Sequence, residues 1–437
     1  MHLFCKHIIY ILAASLLIVS CKKDEEKDPP TPSGDDYGTT NGRTVLVYAI
    51  ADNDMASIAV NDISEMLAGA KYMGKKDHLI VYLDDKQKPR IYDINVSSVG
   101  TAYSNLTPIY QYEEEVNSCS YEQLSSVIKY TIDNFPAPSY GLVMWSHGNG
   151  WLPTGQVYPD YVNKEAYNIK ARSFGLDYNY VSGKRTDNNG KQMSIETIRN
   201  GIDAFGGLDF LMFDACMMQN IEVDYQLRGK SKAIIGSPAE VPGDGAPYNT
   251  VLQPMFEDEN YVQGMVSKYY DYYSKSYSYG ILLSAVDGMN LESFASVTRK
   301  YVQEYKETLM TMKYVDDDGN PIVLDYFESD RYYSVSNFPD YYDINGLMMQ
   351  ALSAEDYAAW KAEYDKIIIC KASTDLWFSA LMGKQYKTVD QSQYSGVSMH
   401  IPLKKYADKA AWFARSYYDT DWAKAVWIAD KTDEGDE

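Results

Sequence analysis

The run Leu208-Asp209-Phe210-Leu211-Met212-Phe213-Asp214-Ala215-Cys216 constrains the fold of this chain more than any other stretch. It has the length of a strand and is apolar at nearly every position, then turns to a carboxylate and a thiol. A strand that is apolar on both faces belongs inside a parallel sheet, with helices above and below it. Residues at its carboxyl end face the crevice where open α/β sheets hold ligands. Met217–Leu227 mixes apolar and polar residues at helical spacing. Cys216 is therefore expected to face a helix N-terminus, whose dipole favours thiolate over thiol. Cysteine is among the most buried residue types, so this thiol alone reads as core packing.

A second stretch changes that reading. Tyr140–Trp145 is another apolar strand, and it runs into His147 and the glycine-rich turn Gly148-Asn149-Gly150. If the two strands are parallel and close in one sheet, their ends lie one or two spacings of about 4.8 Å apart. His147 and Cys216 would then flank one groove. Asp214, two residues before the thiol on an alternating strand, points to the same side as Cys216.

The rest of the chain alternates strands and helices. Thr44–Ala51 and His78–Asp84 read as strands, and Arg90–Val96 as an edge strand or hairpin arm. Ala56–Tyr72 and Tyr121–Phe135 read as helices, and Asp52-Asn53-Asp54 as a turn and helix cap. Ser194 opens a helix that Gly206-Gly207 ends. Lys232–Gly236 and Tyr279–Val286 are further strands, and Tyr261–Lys275 and Leu291–Met310 are helices. This order predicts an α/β three-layer sandwich with a mainly parallel central sheet. After Lys313 the texture changes to helical stretches at Asp340–Leu352, Glu355–Ile369 and Ala407–Ile428, with a strand at Gly396–Pro402. Residues 313–437 are expected to form a C-terminal α+β extension packed on a core domain of residues 44–312.

The N-terminus reads as targeting sequence. Lys6 and His7 precede an apolar run, Ile8–Val19, too short for a comfortable membrane span. Its end, Leu17-Ile18-Val19-Ser20-Cys21, resembles a bacterial lipobox, which makes residues 1–20 a lipoprotein signal peptide and Cys21 the lipidated residue. Lys22-Lys23-Asp24-Glu25-Glu26 is similar to acidic export tags of Gram-negative surface lipoproteins. The expected location is the cell envelope, as an outer-membrane lipoprotein that is surface-exposed or periplasmic; the alternative is a plain secretory signal cut elsewhere. Residues 21–43, rich in charge, Pro and Gly, read as a disordered tether. The formal charge of −21 argues against nucleic acid as a partner. Cys119, Cys216 and Cys370 remain beyond the signal, an odd number, so at least one stays free. Cys119 and Cys370 either pair or are buried separately.

Ser146-His147-Gly148-Asn149-Gly150-Trp151 and Asp214-Ala215-Cys216-Met217-Met218 resemble the two catalytic motifs of the clostripain-like cysteine peptidases, a family with the caspase-type fold. Weaker agreement continues through Glu240–Gly245 and Tyr394–Ser398, so the resemblance spans about Val45 to Pro402. It implies a cysteine endopeptidase with His147 and Cys216 as catalytic residues and the backbone amides of Gly148 and Cys216 as oxyanion hole. It also implies that Asp214 and Asp244 bind a basic side chain in the first specificity pocket. Cleavage after Arg or Lys follows, with peptides or proteins carrying basic residues as partners. Asp214 has a rival role as a helix N-cap, and Asp244 as a turn residue. Of the other histidines, His78 reads as solvated and His400 as structural.

No cofactor is expected. Calcium activates relatives, but no ligand set is identified: Val315-Asp316-Asp317-Asp318-Gly319-Asn320 has the wrong spacing for a calcium loop. The polar insertion Trp151–Gln192 carries Lys164, Lys170, Arg172, Lys184, Arg185 and Lys191. It is a candidate self-cleavage loop or an ordinary exposed one. There is no His-Glu-x-x-His, no Gly-x-Ser-x-Gly and no phosphate loop. The competing function is a non-catalytic surface lipoprotein that binds peptide or glycan in the same crevice.

Overall fold

A computed structural model of the protein describes residues 37–152, 173–187, 190–275, 279–318, 321–327, 341–380, 385–404 and 417–428. The expected signal peptide, Cys21 and most of the expected tether lie outside them. Nine strands form one sheet: β1 (Arg43–Ile50), β2 (His78–Asp84), β3 (Arg90–Ile94), β4 (Tyr110–Gln111), β5 (Ser139–Trp145), β6 (Leu208–Asp214), β7 (Ser231–Gly236), β8 (Leu282–Asp287) and β9 (Ile368–Ser373). Their spatial order is β9-β8-β7-β6-β5-β1-β2-β3-β4. The five inner strands, β7 to β2, run parallel. The outer strands on both sides are antiparallel. All eight residues of β1 are buried, as a doubly covered strand requires.

Strand alternation divides the core in two. Leu46, Tyr48 and Ile50 face one layer with α2 (Tyr121–Asn134), α3 (Ile195–Ile202), α4 (Ile221–Gln226) and α7 (Leu291–Glu304). Val45, Val47 and Ala49 face the other, with α1 (Ala56–Gly69), α5 (Tyr248–Met255) and α6 (Tyr261–Ser274). This is the expected three-layer sandwich. The helix starts follow from short polar caps: the hydroxyls of Ser120 and Ser194 accept from the amides of Gln123 and Thr197. Gly206, at φ 70°, ends the α3 segment in a conformation that glycine adopts without strain.

Several segments differ from expectation. Residues beyond 313 do more than lie on the core. Ile368 and Ile369, read as the end of a helix, instead open the strand Ile368–Ser373, which follows α8 (Ala354–Ile367) and becomes β9 of the main sheet. The insertion after Trp151 is not a loop throughout. Phe174–Asp177 pairs with Lys191–Met193, and Tyr180–Val181 with Lys184–Arg185, while Phe174, Leu176 and Met193 are buried. Lys164, Lys170 and Arg172 lie outside the described residues. Among the described residues, no helix is long and apolar enough to cross a membrane.

Candidate active site

The pairing of β5 with β6 sets Asp214 opposite Trp145. His147 and Cys216 thus each lie two residues past the ends of adjacent parallel strands. The turns that carry them touch: a Cβ at Gly148 would stand 2.5 Å from the Cys216 carbonyl oxygen and 2.8 Å from Met218 Sδ. Only glycine fits there. Gly150, at φ 62°, is under the same restriction, since a side chain would meet Asn220 Nδ2 at 2.3 Å. Among the described residues, neither the Gly148 nor the Cys216 amide donates to a backbone carbonyl.

His147 is partly exposed, and its carbonyl accepts from the Gly175 amide. Its Nε2 lies 2.8 Å from Asp54 Oδ1. A carboxylate can only accept, so this ring nitrogen donates, and Nδ1 is left as the nitrogen able to take a proton. Asp54 is a contact of His147 that the sequence reading passed over. Its only signal was a place in the turn after β1, and that turn adjoins His147 because β1 lies next to β5. The Ser146 hydroxyl, which donates to the Ile50 carbonyl, ties the two strand ends together.

Cys216 differs from expectation in its surroundings. Its segment does not continue as a helix: Met217 adopts a left-handed φ of 57°, and α4 begins only at Ile221. Asn220 sets this start. Its side-chain oxygen accepts from the Val223 amide, and its Nδ2 donates to the Met217 carbonyl. The N-terminus of α4 therefore lies beyond the turn that carries the thiol rather than directly after it. The sulfur instead accepts from the Val241 amide at 3.3 Å. Burial, and after it the Glu240 carboxylate, push the Cys216 thiol up to about 12, against the pull of that amide.

Asp214 is buried and does not cap a helix. Its Oδ2 accepts from the Ala246 amide at 3.0 Å and the Tyr248 hydroxyl at 2.9 Å, and its Oδ1 from the Tyr269 hydroxyl at 3.1 Å. Burial raises its carboxyl, while these three donors hold it down. The segment Gly245–Tyr248 closes over it, and a Cβ at Gly245 would lie 2.9 Å from Oδ2. Asp244 is exposed in the same loop. Two acidic residues of α1, absent from the sequence reading, join this group. Asp62 accepts from Trp145 Nε1 at 2.7 Å, and burial, then the Asp214 charge, push it up to about 9. Glu65 is raised by burial and by Asp244 and Asp214, against the amides of Tyr248 and Asn249.

The other candidates fall away from the site. His78, expected in solvent, is half-buried and pairs with Asp93 at 3.0 Å. His400 is buried, with its ring 4.5 Å from that of Tyr417 and 5.2 Å from that of Trp151. Cys119 and Cys370 are both free, and they belong to opposite core layers. Among the described residues, Asp52, Asp84 and Glu115 are the one group whose ligand atoms converge as metal donors would.

Most of the chain is similar to known cysteine peptidases. The profile of the clostripain family, Peptidase_C11, matches residues 47–432. Clostripain of Hathewaya histolytica is 26% identical over 238 residues, covering 48% of this chain and 41% of that protein, so the match spans less than half the length of this curated relative. A secreted C11 cysteine protease from Bacteroides thetaiotaomicron, solved with an irreversible peptide inhibitor, superposes with TM-score 0.70 at 27% identity, covering 88% of this chain and 98% of that one. An inactive zymogen C11 protease from Parabacteroides distasonis does so with TM-score 0.68 at 26% identity, covering 89% and 99%.

Proposed function

Because this chain belongs to the clostripain family of cysteine peptidases, we propose that it hydrolyses peptide bonds after Arg or Lys, with Cys216 as nucleophile and His147 as its proton-transfer partner. The observation that carries this reading is the contact of the two turns at Gly148, past the ends of paired strands. His147 Nδ1 takes the thiol proton as the sulfur attacks the substrate carbonyl. The amides of Gly148 and Cys216 receive the oxyanion. His147 then gives the proton to the leaving amine, and a water molecule releases the acyl group from sulfur. A thiol pushed up to about 12 makes this base necessary rather than incidental.

The acidic group formed by Asp62, Glu65, Asp214 and Asp244 supports a cationic first pocket. A carboxylate buried as deeply as Asp214 is costly unless donors or a cation meet it, and a substrate guanidinium or ammonium would replace part of its present shell. In this reading the Val241 contact on sulfur and the closure over Asp214 belong to a resting conformation. The loop between β7 and α5 has to shift before a basic side chain enters. The same reading places the enzyme outside the cytoplasm on a lipid carried by Cys21, and Cys21→Ala should then release it in soluble form.

The test of the central reading is turnover of Arg- and Lys-reporter peptides by the purified chain. Cys216→Ala should abolish it, and His147→Ala should reduce it by at least about a hundredfold. Equal turnover in wild type and Cys216→Ala would remove the peptidase assignment. Asp214→Asn should lower turnover of basic substrates far more than it lowers folding stability.

A further inference from the structure

The described chain enters the fold at the end of the sheet opposite the catalytic turns. The first residues of β1 and β5, Arg43 and Ser139, are register partners, and β6 runs parallel beside β5. His147 and Cys216 follow the last residues of β5 and β6. The start of β1 and the catalytic turns are therefore a strand's length apart. At about 3.3 Å per residue, the eight residues of β1 put about 26 Å between the two levels.

The entering segment is fastened to this end. The amide and hydroxyl of Thr39 donate to Asp77, a wholly buried carboxylate just before β2. Asp77 also accepts from the amides of Arg43 at 2.9 Å and Gly74 at 2.8 Å. The Thr40 amide donates to Asp258 at 3.0 Å, and Arg43 Nη1 to the carbonyls of Met255 and Glu257 at 2.7 and 2.9 Å. The Tyr37 ring meets that of Tyr72 edge-on at 5.1 Å. Gly38 lies so close to Gly74 that a Cβ there would stand 2.1 Å from the Gly74 nitrogen. Residues 37–43 are thus held along the face where the strands begin.

This attachment limits what a lipid on Cys21 allows. Fifteen residues lie between Cys21 and Tyr37, and they span at most about 55 Å when fully extended. A compact chain of this length has a radius of gyration of about 21 Å and measures about 55 Å across. The strand-start face can rest at a bilayer with most of that reach unused. Turning the opposite end down onto the lipid needs a path around the domain longer than its own width, which those residues cannot cover.

Resting on the reading of Cys21 as the lipidated residue and Cys216 as the nucleophile, we propose that the face carrying residues 37–43 is the membrane side of the protein and that the catalytic groove opens away from the bilayer. Its substrates are then soluble proteins, or chains that stand well above the lipid, and not segments lying at the membrane surface. The rival is a groove that reaches the lipid because residues 37–43 peel from Asp77 and Asp258.

The test compares rates on one membrane. The full lipidated chain is placed in vesicles of phosphatidylethanolamine and phosphatidylglycerol that also carry an Arg-reporter peptide, joined to a headgroup by a linker of about 10 Å or about 100 Å. The long-linker reporter should be cut at least about fivefold faster than the short one, because a tether that cannot span two sites gives almost no effective concentration. The Cys21→Ala chain, free to turn in solution, should show a ratio below about fivefold. Inserting about thirty Gly and Ser residues between Pro30 and Thr31, ahead of every described residue, adds about 100 Å of reach. The anchored insertion variant should also fall below that ratio. A ratio below about fivefold in the native anchored chain, or one that persists in Cys21→Ala or in the insertion variant, would overturn the proposal. The two readings beneath it fail separately: a chain that does not float with vesicles is not anchored, and one that spares a soluble Arg reporter is not this peptidase. Either result also ends the proposal.

Discussion

Asp54 and Asp62 show how two carboxylates on one turn and helix acquire opposite properties from their surroundings. Asp54 is 79% exposed and accepts from the His147 ring. An exposed pair of this kind contributes little to stability, so the proposed mechanism predicts a positional role for it. Asp54→Ala should lower kcat about tenfold with little change in KM or melting temperature. Asp54→Asn, whose side-chain oxygen still accepts from the ring, should recover part of the loss; a change confined to KM would show that Asp54 does not position the base. Asp62 is buried, and its carboxyl is pushed up to about 9, first by burial and then by Asp214. The unfolded chain would release this proton near pH 4, while the folded chain keeps it until about pH 9. Below pH 4 the two states hold it equally. Above that, folding loses stability as pH rises, by at most about 1.4 kcal/mol per unit, until the folded group also ionises. Asp62→Asn keeps an acceptor for Trp145 Nε1 and removes this slope. Its melting temperature should therefore gain on wild type from pH 5 to pH 8.5, and parallel curves for the two proteins would refute the assignment.

At the level of elements, the sequence was most legible where a strand was continuously apolar, and least where a partner came from far along the chain. His147 and Cys216 could be read because each follows such a strand. The strand order was not readable, so Asp54 and Asp62 stayed hidden beside them. The Asp214 environment was equally remote, since Tyr248 and Tyr269 reach it from 34 and 55 residues away. Met217–Leu227 was misread because Gln219 and Asn220 fit a helical pattern, while Asn220 caps the helix that starts after it. The insertion after Trp151 gives a testable contrast. Lys184 and Arg185 sit in a short ribbon, with Arg185 stacked 3.4 Å from the Tyr178 ring centroid, and Lys191 is in a paired strand. Backbone engaged in pairing is a poor substrate, because a peptidase groove needs it free. If the chain cuts itself within this insertion, mass spectrometry should find the new termini after Lys164, Lys170 or Arg172, and Cys216→Ala should stay whole. Termini mapped to Lys184, Arg185 or Lys191 would show that the ribbons open.

For the whole molecule, the question is whether residues after 312 are an accessory or part of the fold. β9 covers the edge of β8 in the main sheet. Tyr326, Trp360, Trp377, Trp422 and Trp427 are almost fully buried and belong to the same core cluster as Leu46 and Ile198. The Ser398 amide donates to the Gln219 carbonyl, and the His400 amide to Glu222, so this region also fastens the segment that follows the nucleophile. Burying one large apolar side chain stabilises a fold by about 1.5–3 kcal/mol. Losing five of them costs on the order of 10 kcal/mol, which is comparable to the net stability of a typical domain. A chain stopped after Met312 should therefore fail to fold: it should be insoluble or melt without a cooperative transition, and its Cys216 should react with iodoacetamide as a free thiol does. Removing only residues 429–437, which lie beyond the last described helix turn, should leave melting and turnover unchanged. A soluble, cooperatively melting chain of residues 37–312 would instead make the C-terminal part a true appendage, and the sheet would then have to be stable with β8 as its edge.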